Sequence, residues 1–371
     1  MSNMRSLTAL LLALIILTSV TPAKADIRQT YAMSYTFENR GSLSFTFNRD
    51  DVSIPLFIET EYQKIVIKSA TPSIGQQYID SDGNIFVEPG ISLEIKPGQK
   101  VSFTVVYEID SKDEPKPNID QTKAGQLSDI PQNLVNYTSP TGTYQPGKAE
   151  ILSLAKSLTN DKLTVLAKVL RLISWFQANL TYDNYEIPRR ADETLKERKG
   201  DCDDQSILLI SMLRGLGIPS YMEVGIVFND GIDSKETSWA GHLENDQKGV
   251  GWHGWAVVYI PPWGWMPVDV VYLRPTEPLD VIRNAPEYGS EIISSFRIIN
   301  QDYVEISRST REKVINSGLY ATMKDEVLVS NQPSWLTPAL IVLAIAVGGG
   351  IVFMFITARS PLKSRKLFNH T

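Results

Sequence analysis

The sequence predicts an α+β protein in which an antiparallel β-sandwich precedes a domain of helices followed by strands, with one C-terminal transmembrane helix. Short runs rich in Val, Ile, Phe, Tyr and Thr fill the part before residue 110, and apolar residues at helical spacing begin near residue 148. An uncharged run of 23 residues covers 336–358. These three observations predict the order of the elements along the chain.

The N-terminal 25 residues have the pattern of a secretory signal peptide. Arg5 is followed by an apolar run from Leu7 to Val20, and Ala23-Lys24-Ala25 offers small residues for cleavage after Ala25. A retained N-terminal anchor is the alternative. The short apolar run and the small-residue site favour removal of residues 1–25.

Residues 26–110 are predicted to form the β-sandwich, used as a spacer or binding module. Turn sequences such as Ser81-Asp82-Gly83-Asn84 and Lys96-Pro97-Gly98 separate its strand-like runs. The polar residues from 111 to 147 are predicted to be a linker or surface loop.

From residue 148 the period changes from strand to helix. Apolar residues recur at helical spacing up to Phe176 and again from Ile207 to Leu213, and strand-like stretches follow near 221–228, 255–260 and 265–270. Helices followed by strands predict an α+β domain over 148–283, with a C-terminal extension over 284–333 that packs on it.

The C-terminal part predicts a single-pass membrane protein. Residues 336–358 suffice to span a bilayer as a helix, and a short basic tail follows over 359–371. The positive-inside rule places this tail in the cytoplasm and the rest of the chain outside the cell membrane.

Charge and composition limit the classes of partner and cofactor that the protein can bind. The formal charge is −6 and the isoelectric point is near 5.3, which argues against a nucleic-acid partner. One cysteine and three histidines make a Cys-based or multi-His metal site unexpected, so we predict no metal and no cofactor. A protein or peptide substrate outside the membrane is the expected partner.

Cys202 is the residue most indicative of chemistry. It follows the helix-capping residue Asp201 at the predicted start of a helix, where backbone amides and the helix dipole favour a thiolate. Simple packing of a free cysteine is the alternative. A basic partner is required against the neighbouring carboxylates, and His253 is the best placed histidine, with His242 in a loop and His370 in the tail.

A carboxylate that orients the histidine would complete a reaction centre. Asp269 lies within an apolar strand-like stretch, where a buried carboxylate needs a partner. It can therefore be a hydrogen-bond partner of the histidine or merely a turn residue at the end of a strand.

The chain resembles the transglutaminase-like superfamily, relatives of papain-type cysteine proteases, over roughly residues 145–275. The resemblance rests on blocks in the family's order: the helix "VLRLISWFQANLTYD", Gly200-Asp201-Cys202, Arg214-Gly215-Leu216-Gly217-Ile218-Pro219, His253-Gly254-Trp255 and Trp265-Met266-Pro267-Val268-Asp269. It implies that Cys202 is the nucleophile, His253 the general base and acid, and Asp269 the orienting residue. The backbone amide of Cys202 is one oxyanion donor, and the candidates for a second are Trp175, Tyr182 and Trp252.

The implied reaction is acyl transfer from an amide bond of a cell-surface protein through a thioester. Attack by water would make the protein a peptidase or deamidase, and attack by a lysine amine would make it a crosslinking enzyme. The alternative is a non-catalytic binding or scaffold protein that uses the β-sandwich and an inactive transglutaminase-like domain.

Overall fold

The computed structural model describes residues 26–272 and 275–330. The predicted signal peptide (1–25), transmembrane helix (336–358) and basic tail (359–371) lie outside the described residues. Within the described ranges, no helix combines the length and the apolar character needed to cross a membrane.

The described chain contains fifteen strands and six α-helices. The strands are β1 Ile27–Asn39, β2 Phe45–Thr46, β3 Ile54–Pro55, β4 Gln63–Thr71, β5 Ile74–Ile79, β6 Ile85–Pro89, β7 Glu94–Ile95, β8 Lys100–Ser111, β9 Thr181–Tyr182, β10 Lys199–Gly200, β11 Ser220–Ser238, β12 Leu243–Ile260, β13 Gly264–Val268, β14 Ile292–Ile298 and β15 Leu319–Ser330. The helices are α1 Ala149–Leu158, α2 Val165–Asn179, α3 Ala191–Glu197, α4 Cys202–Gly215, α5 Pro278–Arg283 and α6 Tyr303–Ser317.

One large sheet dominates the molecule and confirms the α+β class. Its strand order is β14-β11-β12-β15-β1-β8-β4, with β13 paired to β12 beyond this path. Neighbouring strands run antiparallel except β12 and β15, which are parallel. The sheet thus joins the first, middle and last parts of the chain.

The structure differs from the predicted separate sandwich over 26–110. Strands β1, β4 and β8 belong to the large sheet, and β15 from the C-terminal part lies between β1 and β12. In this segment, the two-stranded sheet β2–β7 and the three-stranded sheet β3–β6–β5 are separate from the large sheet. Alternating apolar residues show that a strand has a buried face, but they do not specify its neighbour, and this is why the sequence suggested a closed domain.

One large apolar core runs through both parts, and a smaller cluster around Trp255 lies apart from it. The large core includes Tyr31 and Phe103 from the N-terminal strands and Leu208 and Val258 from the later domain. The segment 111–147 contains three 3₁₀ turns, and its end is fixed by Tyr144, whose hydroxyl donates to the Ile298 carbonyl at 2.7 Å. This segment therefore packs on the domain instead of separating two bodies.

Helix α4 is the central helix of the later domain. All its side chains from Cys202 to Arg214 are buried, and Asp201 caps its N-terminus by accepting a hydrogen bond from the Asp204 amide at 3.2 Å. The predicted position of Cys202 at a helix start is thereby confirmed. A helix surrounded on all sides by protein holds the first turn, and the thiol on it, in a fixed place.

Candidate active site

His253 and Asp269 form a close pair. Nε2 of His253 lies 2.7 Å from Oδ2 of Asp269, and both side chains are almost wholly buried. The hairpin places them together, because β13 pairs with β12 up to Val268 opposite Ala256, so Asp269 emerges beside the strand that carries His253. The pairing through Nε2 leaves Nδ1 of His253 as the nitrogen that can exchange a proton with a thiol.

The carboxylate of Asp269 is fixed by further hydrogen bonds. Its Oδ1 accepts from the backbone amides of Val271 at 2.8 Å and Tyr272 at 3.0 Å. Burial acts to raise the pKa of Asp269, but the attraction and hydrogen bond of His253 and these amides outweigh it, so the pKa lies below its ordinary value. Asp269 is therefore held as the carboxylate that fixes the ring of His253.

The N-terminus of α4 meets strand β12 at Gly254, the residue after His253. The backbone amide of Gly254 hydrogen-bonds to the sulfur of Cys202, and the Gly254 carbonyl accepts from the Ser206 hydroxyl at 3.3 Å. β11 pairs with one edge of β12. On the opposite edge, β15 pairs with residues 243–248 and β13 with residues 256–260. Residues 249–255 of β12, which include His253, therefore have no strand of the described chain on that edge, and α4 approaches β12 there.

The three predicted residues therefore lie in one region. His253 binds Asp269, and the next residue, Gly254, binds the sulfur of Cys202. The charge of Asp269 is felt at the thiol of Cys202. Among residues 26–272 and 275–330, the hydrogen bond of the His253 ring goes to Asp269 and not to the sulfur. Catalytic hydrogen bonds of this kind are often loose before substrate binds and tighten in the complex.

The resting thiol of Cys202 is held in its neutral form. It is only 4% exposed, and its burial, followed by the charges of Asp203 and Asp201, raises its pKa well above the ordinary value. The Gly254 amide acts in the opposite direction. A proton acceptor is therefore necessary for the sulfur to become a nucleophile at neutral pH.

The two carboxylates after Cys202 have buried partners of their own. Asp203 Oδ2 accepts from the Tyr303 hydroxyl at 2.8 Å, and Asp204 Oδ2 pairs with the Arg189 guanidinium at 2.9 Å. Burial and the charge of Asp203 raise the pKa of Asp204 to about 7, although Arg189 lowers it. The spacing of the three carboxylates would allow them to hold a cation; they belong to Asp201, Asp203 and Asp204. However, Asp203 already binds Tyr303 and Asp204 already binds Arg189.

The structure separates the three candidates for a second oxyanion donor. Trp252 donates its indole N–H to Asp325 at 3.3 Å, and the ring of Trp175 is covered by the guanidinium of Arg198 at 4.5 Å. Burial raises the pKa of the Tyr182 hydroxyl, and the largest charge effect on it comes from Cys202. The hydroxyl of Tyr182 therefore lies within electrostatic reach of the sulfur.

Three further residues of this region were missed by the sequence interpretation. Arg189 and Tyr303 bind the acidic residues of the first turn of α4, and Glu287 lies against the His253–Asp269 pair. Glu287 and Tyr303 lie beyond the last family block, and Arg189 lies between two blocks without belonging to either. A single Arg, Tyr or Glu in a polar stretch gives no signal. Their role depends on tertiary contacts alone.

The fold brings a thiol, an imidazole and a carboxylate into one region, with the thiol at the N-terminus of α4, the imidazole on β12 and the carboxylate directly after β13. Residues 152–270 match the family model described as Transglutaminase-like superfamily. The predicted resemblance is thus confirmed, and the chain contains a transglutaminase-like domain.

The solved structures to which the chain is similar share little sequence identity with it. A proposed cysteine protease from Cytophaga hutchinsonii has 15% identity and a TM-score of 0.47, with 83% of this chain and 90% of that chain covered. The periplasmic domain of TgpA from Pseudomonas aeruginosa, bound to ethylmercury, has 17% identity and a TM-score of 0.31, with coverage of 72% and 93%. Red sea bream transglutaminase has 12% identity and a TM-score of 0.27, with coverage of 69% and 49%. A comparison with curated proteins finds no match in sequence.

Proposed function

We propose that the protein is a thiol enzyme that transfers the acyl group of protein amide bonds through Cys202, His253 and Asp269. The observation that carries the proposal is the buried 2.7 Å pair of His253 and Asp269, placed directly beside a thiol at a helix N-terminus. A structural histidine does not require an orienting carboxylate and a neighbouring thiol, whereas acyl transfer requires both.

The reaction begins with the neutral thiol. The sulfur of Cys202 attacks the amide carbonyl carbon while Nδ1 of His253 takes the thiol proton, and Asp269 stabilises the imidazolium that forms. The C–N bond then breaks, the imidazolium gives its proton to the leaving amine, and a thioester to Cys202 remains. Water or a second amine attacks this thioester, with His253 again acting as base, and frees the thiol.

The tetrahedral intermediate carries a negative oxygen that needs donors. The backbone amide of Cys202 lies at the start of α4, where amide N–H groups have no partner within the helix. The hydroxyl of Tyr182, within electrostatic reach of the sulfur, is the second donor in this proposal. Both groups belong to parts of the chain that the buried helix and its neighbours hold in place.

The acceptor divides the proposal into hydrolysis and crosslinking, and the geometry favours neither. The decisive experiment offers the full chain a peptide library together with a labelled primary amine, and mass spectrometry detects cleavage, ammonia and amine adducts. Cleavage or deamidation without adducts identifies a hydrolase, and adducts identify a transferase. No product of any kind would refute the proposed activity.

Matched variants connect any activity to the site. Cys202→Ala and His253→Gln should each abolish turnover, whereas His242→Gln should retain it. His242 is a suitable control, because it is partly buried, binds the Leu319 carbonyl at 2.8 Å and stacks on Tyr320. Equal losses in His253→Gln and His242→Gln would assign the effect to stability and not to catalysis.

We further propose that this activity is exposed on the outer side of the cell membrane, anchored by residues 336–358. The support is the sequence of the two ends alone. Protease treatment of intact cells should digest the catalytic part and spare the basic tail, and the mature N-terminus should begin at Asp26. A protected catalytic part would contradict this location.

A second function is a non-catalytic surface scaffold. One observation favours it: the thiol of Cys202 is buried and its pKa is raised. Iodoacetamide labelling of the full chain near neutral pH distinguishes the two functions. A thiol that stays unlabelled both with and without peptide substrates supports the scaffold, and labelling that depends on His253 supports the enzyme.

A further inference from the structure

A third ionisable side chain lies against the His253–Asp269 pair. Glu287, in the 3₁₀ turn Pro286–Tyr288, places a carboxyl oxygen within 4.8 Å of ligand atoms of both His253 and Asp269. It lies outside residues 152–270, which match the family model. The proposed reaction assigns it no role.

The carboxyl group of Glu287 is buried and has no donor. Both of its oxygens are inaccessible to solvent and accept no hydrogen bond among residues 26–272 and 275–330. An ionised carboxylate in such a place would face the charge of Asp269 without compensation. Burial, followed by the charge of Asp269, raises the pKa of Glu287 well above its ordinary value.

Among the described residues, no Lys or Arg is seen to act on Glu287. The charges that influence it are Asp269 and, to a smaller extent, Glu223 on β11, both of which raise its pKa, and its own backbone amide acts in the opposite direction. The phenol groups of Tyr272 and Tyr288 lie near it, since their pKa values are raised in part by its charge. His253, which already binds Asp269, is the remaining basic group of the cluster.

Asp269 can accept one more proton donor. Two backbone amides bind its Oδ1 and His253 binds its Oδ2, whereas a carboxylate offers about four acceptor positions. The three side chains come close enough to hold a cation. However, the closed 2.7 Å bond between His253 and Asp269 leaves no space for an ion between these two, and a proton fits the arrangement.

We propose that Glu287 is a positioning residue that stays protonated at neutral pH and donates a hydrogen bond to Asp269. The hydrogen bond draws negative charge of Asp269 away from His253 and helps to hold the carboxylate in place. It thereby weakens the attraction that Asp269 exerts on a proton of the His253 ring. The consequence for catalysis rests on the proposed function, whereas the protonation itself does not.

The first test measures the pKa of His253 directly. The full chain with ¹³C-labelled histidine has three ring signals to titrate by NMR, since the sequence contains three histidines, and His253→Gln assigns the relevant signal. The Cys202→Ala background removes the thiol from the titration. Glu287→Leu should raise the pKa of His253 by roughly one unit, because Asp269 then attracts the imidazole proton more strongly.

The matched variant Glu287→Gln should leave the pKa of His253 unchanged. Its amide is neutral and can donate the same hydrogen bond to Asp269. If Glu287 were ionised, Glu287→Gln would instead lower the pKa of His253 by about one unit or more. That result, or an unchanged pKa in Glu287→Leu, would overturn the inference.

The second test uses only the conservative variant, in case Glu287→Leu does not fold. The infrared difference spectrum of wild type minus Glu287→Gln at neutral pH should contain the C=O stretch of a buried carboxylic acid. A carboxylate band in its place would show that Glu287 is ionised and would refute the inference. Neither measurement uses a substrate, so both outcomes are independent of whether the chain cleaves or crosslinks amides.

Discussion

Replacement of Asp325 by Asn should remove a pH-dependent loss of stability. Asp325 on β15 is 3% exposed and accepts hydrogen bonds from the hydroxyl of Tyr31 and the indole of Trp252. The hydroxyls of Tyr35 and Tyr107 are buried nearby, and neither has a hydrogen-bond partner among the described residues. Burial raises the pKa of Asp325 from 3.8 to about 6.

The direction of the pH dependence of stability follows from the number of protons bound in the folded and unfolded states. Between the two pKa values the unfolded chain has lost the Asp325 proton while the folded chain keeps it, so the free energy of unfolding falls as the pH rises. A difference of about 2 pKa units corresponds to about 3 kcal/mol, and the whole penalty is present above pH 6. Below pH 3.8 Asp325 is protonated in both the folded and the unfolded chain, so the penalty is absent there.

The neutral amide of Asp325→Asn avoids this penalty. One amide oxygen can accept from Tyr31 or Trp252, and its NH₂ can donate to the unpaired hydroxyl of Tyr35 or Tyr107. After allowance of about 1 kcal/mol for imperfect hydrogen bonds, the variant should be about 2 kcal/mol more stable than wild type at pH 8.

Urea unfolding of the full chain at intervals from pH 4 to pH 8 measures the effect. The difference between Asp325→Asn and wild type should grow with pH up to about 6 and then remain constant. Asp230→Asn, at an exposed position, should stay within about 0.5 kcal/mol of wild type throughout. A difference that is independent of pH, or that shrinks as the pH rises, would refute the reasoning.

Three further predictions concern the site. Asp269→Asn should lower kcat by about 10⁴-fold, because the amide favours the wrong tautomer of His253; amide turnover measures it, and a loss below tenfold would contradict the assigned role. Tyr182→Phe should lower kcat by about 10²-fold with little change in KM if its hydroxyl donates to the oxyanion, whereas a change in KM alone would assign it to substrate binding. Asp203→Asn should accelerate iodoacetamide labelling of Cys202 about tenfold near neutral pH, because it removes the carboxylate whose charge raises the thiol pKa most strongly. An unchanged labelling rate would show that burial alone controls the thiol.

The large sheet connects the candidate active site to both ends of the described chain. The strand that carries His253 is held by β11 on one side and by β13 and β15 on the other. The C-terminal strand β15 in turn connects β12 to the N-terminal strand β1. The N-terminal segment is therefore part of the same sheet as the strand that carries His253.

The local chemistry of the site could be predicted from the sequence. An Asp before a Cys at the start of an apolar helical run specifies a capped helix N-terminus, and the order of the family blocks points to His253 and Asp269. These signals are local, since capping depends on neighbours three residues away and strand pairing of a short hairpin depends on its turn.

Long-range pairing was decided by the tertiary structure. Residues 26–110 show strand periodicity, but the pattern does not reveal that β15, more than 200 residues later, is the neighbour of β1. Glu287, Arg189 and Tyr303 likewise gave no signal, since their significance arises from burial against charged groups that only the folded chain brings beside them. The sequence by itself determined which residues can carry the chemistry, because residue type and local order set capping, periodicity and nucleophilicity. Only the tertiary structure decided which carboxyl groups are buried together, because the dielectric environment and the distance between charges exist only once the chain has folded.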